Sequence, residues 1–238
     1  MLKTEYKVLL KELAGFNLSA IGTMKYFKDW RKSWDAGRSP VTDRVPWITY
    51  VAIGFLNQYL KPAHVVFEYG GGGSTLYFLD RVKQVVTVEH DKEWFHKLKE
   101  NITASGLEQK WNGNLILPEV QLSNNLRSQA DPQAYFSGDS EFANHTFKNY
   151  ASFIDKFPDN HFDVVLVDGR ARASCIMHAV KKIKKGGILV LDNSDREYYL
   201  AKTAVYLSGM KKISDQSSPI PYMNFFGKTT IWIKTYIS

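Results

Sequence analysis

The sequence has very little cysteine and no long apolar run. Cys175 is the only cysteine among 238 residues, which excludes an intramolecular disulfide and a cysteine-based zinc site. A single thiol also fits a reducing compartment. No apolar stretch approaches the ~18–20 residues of a membrane-spanning helix, and residues 1–10 lack the apolar centre of a secretory signal. These features predict a cytoplasmic protein without a membrane span.

The charge balance is mildly basic. Lysine and arginine number 31 against 24 aspartate and glutamate residues, which gives a formal net charge of +7. This excess is compatible with an anionic substrate, a nucleic acid or an anionic membrane surface, and it selects none of them. The one basic run, at residues 181–185, is better explained as the end of a helix than as a nucleic-acid site.

The pattern of the chain changes near residue 61. Residues 1–61 carry helical periodicity and many aromatic side chains, which predicts an N-terminal helical cap. Residues 62–238 alternate short apolar runs with amphipathic stretches, which predicts an α/β domain with a mostly parallel sheet and helices on both faces. The polar, irregular stretch 119–148 is predicted to be an active-site loop or lid.

The same patterns predict the individual elements. Helices are expected over residues 18–34, 47–60, 74–79, 91–104, 149–156, 171–183 and 197–207. Strands are expected over residues 65–68, 84–89, 115–117, 162–167 and 188–191, with a closing pair at 211–215 and 229–234. In the helix after the second strand, Asp91 is the expected N-cap, and Trp94, Phe95, Leu98 and Ile102 are expected to face inward.

Parallel sheets bind ligands beyond the carboxyl ends of their strands. The first such segment, Glu68–Thr75, contains four consecutive glycines, which allow a ligand to approach the backbone closely. Glu89 ends the second strand 19 residues after Gly70, and an acid at that distance can accept hydrogen bonds from both hydroxyls of a ribose. No Gly-Lys-Ser/Thr follows the glycines, which excludes a phosphate P-loop. The pair predicts a ligand that contains ribose.

Two cofactor classes fit a glycine loop followed by an acid. A dinucleotide fingerprint would place its third glycine at position 75, where this chain has Thr75. Glu68 is suited to a cationic methionine amine and poorly suited to a pyrophosphate. Both residues favour S-adenosylmethionine over NAD(P).

Four segments of the chain resemble class I S-adenosylmethionine-dependent methyltransferases. Val66–Gly72 resembles their motif I, and Val86–His90 resembles their second motif. Asp163–Gly169 is similar to their fourth strand, and Lys184–Val190 to the Lys-Pro-Gly-Gly turn into the fifth, with lysine where proline is usual. The resemblance covers residues 62–238 and implies a Rossmann-like, seven-stranded sheet. The cofactor-binding residues it implies are Glu68, Tyr69, Gly70, Gly72, Ser74, Thr75, Glu89, His90 and Asp168.

A narrower resemblance concerns the metal-dependent O-methyltransferases, such as the catechol and caffeoyl-CoA enzymes. It implies that Asp168, Asp192 and Asn193 bind Mg²⁺ or another divalent cation. The alternative is that these side chains cap the turns after two strands. The catechol enzyme has a lysine base shortly after the first aspartate, whereas this chain has Arg170 and Arg172, and arginine is a poor base.

The predicted catalytic residues are Asp168, Arg170 and Arg172. The two guanidinium groups are able to bind the carboxylate or phosphate of an anionic substrate, or to pair with nearby acids. The predicted activity is methyl transfer, with oxygen of a small-molecule or glycan-type acceptor as nucleophile and with or without a divalent metal. The open alternatives are an RNA methyltransferase, an NAD(P)-binding oxidoreductase and a non-catalytic binding module on the same fold.

Overall fold

A seven-stranded sheet runs through the centre of the protein. The computed structural model describes residues 3–15, 17–121 and 127–235. The strands of this sheet are β1 (Val65–Tyr69), β2 (Gln84–Glu89), β3 (Trp111–Leu115), β4 (Phe162–Val167), β5 (Ile183–Leu191), β6 (Met210–Ser214) and β7 (Thr230–Lys234). Their order is β3-β2-β1-β4-β5-β7-β6. The first five strands are parallel, and β7 is antiparallel to both of its neighbours, β5 and β6.

Helices cover both faces of this sheet. The α-helices are α1 (Thr4–Ala14), α2 (Phe27–Lys32), α3 (Pro40–Asp43), α4 (Tyr50–Tyr59), α5 (Gly73–Leu79), α6 (Lys92–Ala104), α7 (Lys148–Ser152), α8 (Arg172–Lys182) and α9 (Tyr198–Ala201). Short 3₁₀ helices occupy Leu18–Tyr26, Glu108–Lys110, Ser140–Phe142, Phe153–Lys156 and Tyr206–Gly209. Two small ribbons pair Glu119–Val120 with His145–Thr146 and Ser217–Pro219 with Phe226–Lys228.

Strand β4 explains why two helical layers are needed. Its side chains alternate, so Val164 and Leu166 belong to one buried cluster, while Val165 and Val167 belong to the other. The first cluster also contains side chains from α4, α5 and α6, and the second contains side chains from α7 and α8. A strand that is apolar on both faces requires cover on both faces. The predicted α/β architecture is therefore confirmed.

The N-terminal helices are joined to the opposite end of the chain. Leu9, Phe27 and Trp30 form a small buried cluster of their own. The indole nitrogens of Trp30 and Trp34 both donate to the carbonyl oxygen of Met223, at 2.6 and 3.0 Å. The segment between the two strands of the 217–228 ribbon is therefore fixed against the proposed cap, residues 1–61.

Several predicted elements differ from the structure. The strand predicted at 188–191 begins at Ile183, and the helix predicted at 149–156 is α7 followed by a 3₁₀ turn at Phe153–Lys156. The third strand is Trp111–Leu115 rather than 115–117, because it is a polar edge strand without an apolar run to mark it. The predicted helix 197–207 is limited to α9 and a 3₁₀ turn at Tyr206–Gly209. The predicted helix 18–34 is a 3₁₀ helix followed by α2.

The predicted loop 119–148 contains one of the two small ribbons, and its residues 122–126 lie outside the described residues. Within residues 3–15, 17–121 and 127–235, no helix has the length and the apolar character that a membrane crossing requires.

Candidate active site

A cavity of about 750 Å³ opens at the carboxyl ends of β1, β2, β4 and β5. Most of its wall comes from the predicted strand-end segments, which contribute residues 70–74, 89–91, 168–170, 172, 192, 193 and 195. The rest of the wall was not predicted from the sequence. That part consists of Trp94 from α6, Arg196, Pro40 and Trp47 from residues 1–61, and Ile220, Met223, Phe225, Phe226 and Gly227 from the 217–228 ribbon.

Gly70 and Gly73 of the glycine loop are packed too closely against other backbone to carry a side chain. Gly70 has a φ of +85°, and a Cβ on it would lie 3.1 Å from the Cα of Gly169. A Cβ on Gly73 would lie 2.2 Å from the carbonyl oxygen of Pro40. The loop therefore brings bare backbone to the cavity, as predicted for a loop that a ligand approaches.

Glu68 lies beneath this loop and not on the cavity wall. Its side chain is fully buried, and its two oxygens accept hydrogen bonds from Ser74 Oγ and Thr87 Oγ1, each at 2.8 Å. Glu68 is predicted to pair with a methionine amine directly or through water, and the buried side chain leaves only the water-mediated form as a prediction. The structure instead gives Glu68 the role of fixing the start of α5 to β2.

Burial raises the pKa of Glu68 to about 7, although hydroxyl hydrogen bonds oppose the shift. The folded protein thus holds a proton at Glu68 that the unfolded chain releases near pH 4.5. Between these two values the folded state binds more protons, so its stability falls as the pH rises.

We expect Glu68→Gln to remove this fall in stability with rising pH. From pH 5 to pH 8, the wild-type protein should lose roughly 2 kcal/mol more unfolding free energy than the variant does. Urea unfolding of both proteins at the two pH values measures the difference. Parallel stability curves for the two proteins would contradict the assignment.

Two other predicted cofactor residues are also inside the protein. Tyr69 is fully buried, and its hydroxyl donates to the carbonyl oxygen of Ala151 at 2.6 Å. Thr75 is fully buried, and its hydroxyl oxygen accepts a hydrogen bond from the Gly72 N–H at 2.9 Å. Both support the loop from below, so the structure corrects their predicted contact with a ligand. Ser74, Gly70 and Gly72 do line the cavity.

Glu89 stands on the cavity wall as predicted and joins two segments of it. Its carboxylate accepts backbone hydrogen bonds from Gly71 at 2.9 Å, His90 at 2.6 Å and Asp91 at 2.9 Å. Although burial opposes ionisation, the neighbouring His90 ring and these N–H groups hold the pKa of Glu89 below its ordinary value. The residue is therefore a fixed anion that faces the cavity.

His90 connects this anion to the next strand end. Its Nδ1 lies 2.7 Å from Glu89 Oε1, outside hydrogen-bond geometry, and its Nε2 accepts from Arg170 Nε at 3.1 Å. Arg170 continues the chain of contacts by donating to Asp139 at 3.0 Å. Arg170 thereby joins the cavity to the 127–147 segment.

Arg172 lies between the acidic residues at the carboxyl ends of β4 and β5. It is 8% exposed, and its Nη2 donates to Asp168 Oδ1 at 3.0 Å. Its Nη1 lies 4.0 Å from Asp192 Oδ2 and donates to the Asp192 carbonyl oxygen, while its Nε donates to the Gly169 carbonyl oxygen at 3.0 Å. The guanidinium group holds the ends of β4 and β5 together.

The two carboxyl groups beside Arg172 are less acidic than usual. Burial, followed by the charge of Asp192, raises the pKa of Asp168 well above its ordinary value. Burial also raises the pKa of Asp192, although Arg172 opposes that shift. Asp168 lines the cavity at the carboxyl end of β4, and its raised pKa makes it a stronger base than an ordinary aspartate.

The predicted metal site does not fit these contacts. The Arg172 guanidinium already lies between Asp168 and Asp192, where a cation would be needed to bridge them. Asp192 Oδ1 accepts a hydrogen bond from Thr229 Oγ1 at 2.6 Å, and Asn193 has a left-handed backbone with φ of 50°. The part of the chain that the structure describes contains no group of three or more histidine, cysteine, aspartate or glutamate side chains placed to hold a metal ion. We derive no step through a metal.

Several wall residues were missed or misplaced by the sequence analysis. Trp94 was expected to face the core, but it is 39% exposed, its indole nitrogen donates to Gly71 O at 2.7 Å, and it lines the cavity. Leu98 and Ile102 are buried as predicted, and Phe95 is half-buried. Arg196 also lines the cavity. Its position four residues after Asp192, at the end of β5, is a signal that could have identified it.

Comparison with known proteins gives structural likeness only. No protein-family model and no curated protein matches the sequence. A Streptococcus mutans protein, provisionally described as a methyltransferase and solved with S-adenosylhomocysteine, is 11% identical, with a TM-score of 0.52 over 77% of this chain and 96% of that one. A provisionally described O-methyltransferase from Klebsiella pneumoniae is 12% identical, with a TM-score of 0.51 over 89% of each chain.

The description of a third structure with the same fold names a different kind of acceptor. It is a provisionally described rRNA methylase from Clostridium thermocellum, 12% identical, with a TM-score of 0.51 over 79% of this chain and 96% of that one. TM-scores above 0.5 establish the shared fold, whereas identities of 11–12% leave the acceptor open. This chain therefore shares its fold with solved structures that are described as methyltransferases.

Proposed function

We propose that this protein transfers a methyl group from S-adenosylmethionine to an oxygen atom of a small-molecule acceptor. The observation that carries the proposal is the single cavity that joins the glycine loop, the fixed anion Glu89 and the more basic carboxyl group of Asp168. The related fold with bound S-adenosylhomocysteine supports the same cofactor class.

The charge of the cavity fits a cationic cofactor better than a dinucleotide. Its walls carry five carboxyl groups and three guanidinium groups. The carboxyl groups belong to Glu89, Asp91, Asp168, Asp192 and Asp195, and the guanidinium groups belong to Arg170, Arg172 and Arg196. The Glu89 carboxylate and the exposed acids Asp91 and Asp195 attract a sulfonium cofactor with one net positive charge and repel a pyrophosphate. Glu68 no longer distinguishes the two cofactors, because it is buried beneath the loop.

The wall residues have complementary places along the cofactor. Glu89 would accept the hydrogen bonds of the ribose hydroxyls, and the backbone at Gly70 and Gly72 would receive the methionine end. The aromatic rings of His90 and Trp94 belong to the same wall as Glu89 and would flank the adenine.

The acceptor would react beside Asp168. When bound, S-adenosylmethionine supplies a methyl group on a sulfonium that leaves as a neutral thioether. Asp168 would take the proton of the acceptor hydroxyl as its oxygen receives the methyl group. Arg172 holds that carboxyl group in place.

The position of the basic residues favours a small acceptor over RNA. The lysine run at 181–185 lies at the start of β5, and Lys61 and Lys83 precede β1 and β2. These lysines are at the edge of the sheet opposite the cavity, about 15 Å away along the strands. The cavity wall carries the exposed acids Asp91 and Asp195 together with the exposed Arg196. A phosphate backbone that followed the lysines would lie on the side of the sheet away from the cavity.

Transfer of a labelled methyl group tests the proposal. The full chain with [methyl-³H]S-adenosylmethionine is offered hydroxyl-bearing aromatic acids, their amino analogues, oligosaccharides and total RNA. We expect label on a hydroxyl compound with equimolar S-adenosylhomocysteine, and at least about tenfold slower transfer in Asp168→Asn. Label on RNA alone, or on the amines alone, would contradict the proposal.

A further inference from the structure

A second cavity of about 330 Å³ adjoins the first. The two share the walls formed by Gly169, Arg170, Arg172 and Arg196. The second cavity carries these three guanidinium groups and one carboxyl group, from Asp139. The second cavity therefore has an excess of basic side chains, and it is continuous with the proposed cofactor cavity at the arginines.

The three arginines differ in whether a carboxylate of the protein is paired with the guanidinium group. Arg172 is buried between Asp168 and Asp192 and donates to three backbone carbonyl oxygens. Arg170 is paired with Asp139 at 3.0 Å and with the His90 ring. Both guanidinium groups therefore have partners that an incoming ligand would need to displace.

Arg196 is different, because no carboxylate of the described residues lies within ion-pair distance of it. Its side-chain partners are two tyrosine hydroxyls: Nη1 donates to Tyr199 at 3.4 Å, and Tyr198 is the second partner. The residue is exposed and stands on the walls of both cavities. Its guanidinium group therefore has neutral partners only, and its charge is not balanced by a carboxylate of the described residues.

We propose that Arg196 binds an oxyanion, carboxylate or phosphate, on the methyl acceptor. A guanidinium fork without a carboxylate partner is suited to bidentate binding of such a group. The cavity that it lines is of the size that holds one small acidic group rather than a nucleic-acid strand. An acceptor anchored there would extend toward Asp168 through the shared wall at Gly169. This inference rests on the proposed function, because it takes the first cavity to be the cofactor site.

Three matched probes test the assignment in binding rather than in turnover. Wild-type protein saturated with S-adenosylhomocysteine is titrated with benzoate, phenyl phosphate and the neutral benzamide. We expect at least one of the anions to bind about tenfold more tightly than benzamide, and Arg196→Met to abolish this preference. The anion that binds more tightly identifies the acidic group as a carboxylate or a phosphate. Lys211→Met removes a cation from an exposed site outside both cavities and should keep the preference.

The outcomes separate this inference from the proposed function. If the wild-type protein binds S-adenosylhomocysteine but binds benzoate, phenyl phosphate and benzamide alike, or not at all, the oxyanion site is refuted and the methyltransferase proposal stands. An anion preference that survives Arg196→Met would also refute it, as would Arg196-dependent binding of an oligoribonucleotide alone. Failure of S-adenosylhomocysteine to bind would instead refute the proposed function.

Discussion

Replacing Arg172 by methionine should lower the free energy of unfolding by about 3–5 kcal/mol at pH 7, because the variant leaves buried carboxyl groups without their cation. Arg172 bonds to Asp168 and lies 4.0 Å from Asp192, and its other donors satisfy carbonyl oxygens at the ends of β4 and β5. Methionine fills much of the same volume but replaces none of these interactions. Chemical denaturation of the two proteins measures the loss.

The pH dependence distinguishes lost charge from lost packing. At pH 5 a larger fraction of Asp168 and Asp192 is protonated, so the penalty of Arg172→Met should shrink. Arg81→Met is the matched control, because Arg81 is exposed and its guanidinium group rests over the Tyr77 ring. The control should cost less than about 1 kcal/mol. A loss in Arg172→Met no larger than in this control would contradict the role of Arg172 between the strand ends.

Glu89→Ala should weaken the binding of S-adenosylhomocysteine at least about 100-fold. The carboxylate would accept the ribose hydrogen bonds, and hydrogen bonds to a charged group contribute about 1.5–3 kcal/mol. The substitution also releases the N–H groups of Gly71, His90 and Asp91, which Glu89 holds in place at the cavity wall. Direct contacts and the shape of the site are therefore lost together.

Quenching of tryptophan fluorescence measures this affinity, because Trp94 stands on the cavity wall. Glu93→Ala is the matched control, since Glu93 is an exposed acid in the first turn of α6 and does not line the cavity. The control should bind as the wild type does. Unaltered affinity in a folded Glu89→Ala protein would show that the ribose is held elsewhere.

The sequence predicts the buried strands well because burial on both faces leaves an unmistakable run of apolar residues. β2 and β4 have the predicted bounds, and β1 is one residue longer than predicted. β3 begins four residues earlier than expected, because an edge strand with the sequence Trp-Asn-Gly-Asn-Leu has no such run. Its pairing with β2 depends on main-chain hydrogen bonds and on Trp111, whose indole nitrogen donates to Thr87 Oγ1.

The sequence also predicts which residues lie at the site, but it does not predict how tertiary packing orients their side chains. Strand ends in the sequence identify Glu89, Asp168 and Asp192 as neighbours, because parallel strands end at one edge. They do not say which side chains turn into the cavity, so Glu68 is buried beneath the loop and Trp94 lies on the wall. The cation between the acids is Arg172, which the sequence places nearby but cannot orient.

Calorimetric titration of the full, chelator-treated chain with S-adenosylhomocysteine, and then with NAD⁺, tests the central claim most directly. The cavity with its glycine loop, Glu89 and excess of carboxyl groups predicts one S-adenosylhomocysteine site per chain, with micromolar affinity, and no heat from NAD⁺. The absence of S-adenosylhomocysteine binding at about 1 mM to a folded protein, or tighter binding of NAD⁺, would contradict the methyltransferase assignment.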